Sequence, residues 1–110
     1  MTINQYQQQA SRTMNPDLSN GETIRHALYG MVSELGEIHS LYQKVFQGHD
    51  FDKEHLKSEL GDLLWFIAEY CTAFDWDLDD VCSANIEKLK NRYPEGFDAE
   101  QSKTRKEGDI

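Results

Sequence analysis

The stretch Glu22-Thr-Ile-Arg-His-Ala-Leu-Tyr-Gly-Met-Val-Ser-Glu-Leu-Gly-Glu-Ile-His-Ser-Leu-Tyr-Gln-Lys-Val-Phe46 decides the fold class. Its apolar positions are Ile24, Ala27, Leu28, Met31, Val32, Leu35, Ile38, Leu41, Tyr42 and Val45. They recur at intervals of three and four, which gives one wide apolar face on a long helix. Gly30 and Gly36 cost helix propensity there. Both are read as places where a neighbouring helix packs closely. Gly48 stands where this helix should stop.

The rest of the chain follows the same period. Asp52 is placed to cap a third helix reaching about Phe74, striped by Leu56, Leu60, Leu63, Leu64, Ile67, Ala68 and Cys71. Asp77 is placed to cap a fourth helix with Asp80 in its first turn. That helix carries Val81, Ala84, Leu89 and Tyr93 and stops at Pro94. Upstream, Ile3 to Thr13 reads as a short polar helix and Asn15 to Gly21 as a loop. Pro94 to Phe97 is expected to fold back, with Phe97 as its anchor. No stretch alternates with period two. The expected fold is an all-α bundle of about four helices over residues 1–98, followed by a flexible polar tail over 99–110.

Length and charge narrow the function. The 110 residues suit one compact domain. The formal net charge of -9, from 20 acidic against 11 basic residues, argues against stable nucleic-acid binding. Cys71 and Cys82 form no Cys-x-x-Cys pair and read as reduced thiols. No apolar run has transmembrane length, and the N-terminus lacks a signal pattern, so a cytoplasmic location without membrane association is expected. Apolar positions along two long helices exceed what a lone small bundle buries. A homodimer or a dimer of dimers is therefore expected.

Two acidic tetrads carry the chemistry: Glu34-Leu35-Gly36-Glu37 in the second helix and Glu59-Leu60-Gly61-Asp62 in the third. Acids three apart share a helix face, and a short connection makes the two helices antiparallel neighbours. Four carboxylates in one seam require a proton or a cation. Oxygen ligands alone suit Mg2+, with Mn2+ as a substitute. The competing structural reading is four solvated surface acids. The duplication at matching depth weighs against it. A di-iron centre would use Glu-x-x-His, which is absent here.

Asn85, Lys88 and Arg92 form a polar stripe on the fourth helix, and Lys44 lies two turns beyond Glu37. Amide, ammonium and guanidinium groups are the donors that phosphate oxygens need. The bland reading is that Lys88 and Arg92 merely complement the negative end of their helix. Trp65, one turn after Asp62, is a candidate base-stacking residue, though a tryptophan is more often packed in a core or interface.

The ordered set Glu34-x-x-Glu37, Glu59-Leu60-Gly61-Asp62 and Asn85-Ile86-Glu87-Lys88-Leu89-Lys90-x-Arg92-Tyr93-Pro94 resembles the MazG family of all-α nucleoside triphosphate pyrophosphohydrolases. The resemblance spans roughly Tyr6 to Phe97, is closed by Pro94-Glu95-Gly96-Phe97, and is to the short single-domain members. It implies that Glu34, Glu37, Glu59 and Asp62 hold Mg2+ and that Asn85, Lys88, Arg92 and Tyr93 contact phosphates. It also implies a homo-oligomer. The implied reaction is hydrolysis of nucleoside or deoxynucleoside triphosphates to the monophosphate and pyrophosphate. Glu34, Glu37, Glu59, Asp62, Lys88 and Arg92 would carry catalysis. Two rivals remain at this point: a noncatalytic nucleotide- or metal-binding regulatory protein, and a purely structural helical oligomer.

Overall fold

The computed structural model describes residues 1–110. In chain order it holds α1 (Ile3–Ser11), α2 (Asn20–Phe46), α3 (Lys53–Ala73), α4 (Leu78–Arg92) and α5 (Ala99–Lys103). The β-type pairing is limited to an isolated bridge between Pro94 and Gly96. No helix is long and apolar enough to cross a membrane. The chain divides into two compact units, Met1–Leu78 and Asp79–Ile110.

Local signals set the boundaries of the two long helices. Ser19 and Glu22 form a reciprocal cap: Ser19 Oγ accepts the Glu22 N–H at 3.2 Å, and Glu22 Oε1 accepts the Ser19 N–H at 2.9 Å. This satisfies two donors that a helix start otherwise leaves unpaired. It starts α2 at Asn20, inside the stretch expected to be loop. Gly48 ends α2 with a φ of 91°. Its own N–H bonds to Val45 O, and that of His49 to Lys44 O, closing a Schellman turn. Asp52 caps α3 as expected, accepting the His55 N–H at 3.0 Å. Asp75 closes α3 with the same turn at a φ of 59°, a conformation glycine usually supplies.

In the first unit α3 packs mainly against α2 and also against α1. Pairs across the α2–α3 seam fix its direction. Glu34 lies by Glu59, Gly30 by Phe66, and His26 by Glu69. A step back along α2 is a step forward along α3, so the helices are antiparallel. Gly30 is where they close up: a Cβ there would clash with the edge of the Phe66 ring. At Gly36 nothing of the single chain lies within 4 Å of a Cβ position, so the close packing expected there is not made with α3. Helix α1 is too short to be stable alone. Tertiary polar contacts hold it. Gln7 Nε2 donates to Thr72 Oγ1 (3.1 Å) and to Trp76 O (2.9 Å), while Gln7 Oε1 accepts the Leu78 N–H (2.7 Å).

The core is small. Ala10, Ala27, Leu41, Ala68, Cys71, Ala73 and Leu78 are its buried apolar residues, and the largest fully buried side chain is Glu69. Meanwhile Leu28, Val32 and Leu35 on α2 and Leu60 and Leu64 on α3 stay substantially exposed in the single chain. Phe46 is 92% exposed.

The second unit corrects two expectations. Helix α5 makes the count five rather than four; Asp98 starts it by accepting the Glu100 and Gln101 N–H groups. Phe97 meets Tyr93 with ring centroids 5.4 Å apart but is 80% exposed, so it is a weak anchor for Pro94 to Phe97.

Candidate active site

The antiparallel seam brings one acid of α2 to two of α3. Single carboxylate oxygens of Glu34, Glu59 and Asp62 all lie within 4.8 Å of one another. Glu34 and Glu59 are half-buried and Asp62 is exposed. Glu37 is exposed and stands outside this trio.

The electrostatics follow from this crowding. The Glu34 carboxyl is pushed up to about 7. The main cause is its hydrogen bond with Glu59. Burial adds to it, followed by the charges of Glu59, Asp62 and Glu37. The same hydrogen bond from Glu34 holds Glu59 below the usual carboxylate range, helped by His55. A proton on one member of the pair relieves the repulsion of like charges at close range. On α1 the Tyr6 phenol is raised by burial and then by the negative charge of Asp62. Glu34 Oε2 is buried and has no hydrogen-bond partner. Buried polar atoms are rarely left this way. An all-oxygen trio with an unpartnered buried oxygen fits a hard divalent cation.

The remaining sequence-derived candidates fall in different settings. Trp65 donates through Nε1 to Thr13 Oγ1 at 2.8 Å and meets Phe66 edge-on at 5.2 Å between centroids. Its half-buried indole is therefore fixed in orientation. Lys44 is exposed in the last turn of α2. In the second unit Asn85 and Lys88 are exposed on α4, and Tyr93 is half-buried. Arg92 forms a two-pronged ion pair with Asp109: Nε to Oδ2 at 2.8 Å and Nη2 to Oδ1 at 2.6 Å. The positive charge of Lys88 also acts on Asp109.

Three participants escaped sequence reading. His55 Nε2 lies 2.9 Å from Glu59 Oε1, and its signal was the four-residue spacing on one helix. Tyr6 feels the charge of Asp62 from a different helix, with no local signal of that pairing. His26 Nδ1 lies 2.7 Å from Glu69 Oε1, and Glu69 Oε2 is buried without a partner. This last pair sits in the packing seam.

The molecule is thus an all-α protein with an oxygen-ligand cluster across its main helix pair. The model of the MazG nucleotide pyrophosphohydrolase domain matches residues 22–97, and the chain belongs to that family. It is also 30% identical over 85 residues to the Gene 37 protein of Mycobacterium phage L5, covering 73% of this chain and 75% of that protein. No solved structure matches the chain significantly.

Proposed function

We propose that the protein hydrolyses nucleoside triphosphates, ribo- or deoxyribo-, to the monophosphate and pyrophosphate with Mg2+ as cofactor. The carrying observation is the convergence of Glu34, Glu59 and Asp62 within 4.8 Å, with Glu34 Oε2 buried and unpartnered. Family membership supports the same reading.

In this reading Glu34, Glu59 and Asp62 hold Mg2+, and Mn2+ can replace it. When bound, the cation supplies charge neutralisation and lowers the pKa of water. Water oxygen bonds to the α-phosphorus, the bridge to the β-phosphate breaks, and pyrophosphate leaves with the electron pair of that bond. Glu37, an exposed carboxylate one turn from Glu34 and outside the trio, accepts the water proton. Lys88 and Arg92 stabilise charge on the departing pyrophosphate, with Asn85, Tyr93 and Lys44 as further phosphate contacts. Trp65, fixed by Thr13, offers a face to the base.

Assembly belongs to the same proposal. The exposed row Leu28, Val32 and Leu35 on α2, with Leu60 and Leu64 on α3, is covered by a second copy of the chain. Purified protein incubated with a nucleotide panel and Mg2+ is expected to release monophosphate and pyrophosphate. Binding without turnover across the panel would overturn the enzymatic reading. Sedimentation showing only monomer at high micromolar concentration would overturn the assembly.

A further inference from the structure

We propose that His55 is a positioning residue for the cation site, holding the Glu59 carboxylate in the orientation from which it serves as a ligand. The inference rests on the Mg2+ reading above. His55 lies in the first turn of α3, and its backbone N–H is tied to Asp52 Oδ1 at 3.0 Å. Its side chain spans one helical turn to Glu59, with Nε2 at 2.9 Å from Oε1. The two ends differ in exposure: the imidazole is 44% exposed and the Glu59 side chain 13%. An ordinary exposed helix pair joins two mobile side chains and contributes little. Here one partner is nearly covered and also belongs to the carboxylate trio with Glu34 and Asp62.

The physical role follows from that placement. Before a cation binds, Glu59 is hydrogen-bonded to Glu34 on one side and to His55 on the other. A cation that takes over the Glu34–Glu59 contact leaves His55 as the group that holds the carboxylate. An N–H donor on Oε1 fixes the carboxylate plane, so less ordering remains for the cation to impose. Donors that orient ligating groups are a general feature of metal sites, and their loss lowers affinity roughly 10–100-fold. His55 is not itself in the cluster. Its ring nitrogen serves Glu59.

The test uses the whole protein and Mn2+ as a spectroscopic probe, with free Mn2+ measured by electron paramagnetic resonance. His55→Leu removes the donor, and His55→Gln retains an N–H donor at similar reach. Expected results are roughly 10–100-fold weaker Mn2+ binding in His55→Leu and recovery of most affinity in His55→Gln. Far-ultraviolet circular dichroism should stay helical in both variants. Turnover by His55→Leu should need more metal and approach wild type when metal saturates. Wild-type affinity in His55→Leu overturns the positioning role while leaving the cation site intact. Equal weakening in both variants overturns it too, because the imidazole would then act other than as a donor. Failure of wild type to bind Mn2+ overturns the cation reading itself. If His55→Leu does not fold, the proposal stands or falls on whether His55→Gln keeps its Mn2+ affinity.

Discussion

Arg92 and Asp109 are joined by two hydrogen bonds, 2.8 and 2.6 Å long, although seventeen positions separate them in the chain. Both side chains are largely covered, at 10% and 14% exposure. The planar guanidinium fork matches a carboxylate as it would match a phosphate. Arg92 therefore ties down the C-terminal segment of its own unit while also being the proposed partner of a phosphate.

The two roles of Arg92 separate by mutation. Arg92→Ala should lower turnover efficiency roughly 100-fold or more, as loss of a transition-state donor does. Asp109→Asn should leave the guanidinium in place and reduce turnover far less. Both should loosen the C-terminal segment, read by faster amide exchange over residues 99–110. Asp109 is held below the ordinary carboxylate range chiefly by the Arg92 hydrogen bond. Its contribution is thus present above the unfolded value of about 3.9 and lost as pH falls through the lower folded value. Asp109→Asn should flatten that acid limb of the stability profile. Equal turnover losses in the two variants would count against a phosphate role for Arg92.

The glycines of α2 make a paired prediction. Gly30→Ala would press a methyl group against the edge of the Phe66 ring, so that the ring or the helix must shift. A loss of about 1–3 kcal/mol is expected, as for other overpacked sites. Gly36→Ala meets nothing within the single chain and should stabilise the dissociated monomer by about 0.5–1 kcal/mol through helix propensity. Chemical denaturation of the two variants checks both signs. A neutral Gly30→Ala would mean that the Phe66 ring or the α2–α3 seam gives way freely.

The buried glutamate of the seam gives a third. Glu69 is 1% exposed and has His26 on one oxygen and no partner on the other. His26→Ala should cost about 1–3 kcal/mol by stranding a buried acceptor. Replacing both residues with apolar ones, as in His26→Leu with Glu69→Met, should cost less than His26→Ala alone. Melts of the single and double variants decide. A double variant less stable than His26→Ala would point to a role for Glu69 beyond packing.

Much of this organisation could be read from residue spacing, and what could not has identifiable causes. The long helices were legible because their apolar residues keep the helical period over many turns. The early start of α2 was also encoded, since Ser19 and Glu22 have the spacing of a reciprocal cap; the Asn, Pro and Gly nearby masked it. Helix α5 has only five residues and no apolar stripe, so its Asp98 cap was the one available cue. At the site, the two acidic tetrads contained the three acids that meet. They did not reveal that Glu37 would stand apart, because that depends on how α2 is rotated against α3. The His26–Glu69 pair depends on the same register and becomes predictable only once Glu34 is set beside Glu59.

The last prediction concerns Glu34 and pH. Without metal, its carboxyl keeps a proton up to about pH 7 because it is hydrogen-bonded to Glu59 and crowded by burial and neighbouring acids. In the unfolded chain an ordinary glutamate releases the proton near 4.3. Between these values the folded protein binds the extra proton, so this group's stabilising contribution is full below the unfolded value. It is lost as pH rises through about 7 and levels off above. Glu59 has the opposite sign, but its pKa is lowered, so its effect falls at more acid pH. Glu34→Gln replaces the protonated acid with an amide of like shape that can still donate to Glu59. The variant should therefore lack this pH-dependent loss, and above neutrality it should be at least as stable as wild type. Urea midpoints of both metal-free proteins from about pH 5 to 8 measure the difference directly. Mg2+ should reverse the order: a neutral amide is a poor ligand, so wild type gains stability from the cation and the variant gains little. A wild-type minus variant difference that stays flat across this range would rule out the retained proton. Equal stabilisation of both proteins by Mg2+ would remove Glu34 from the cation site.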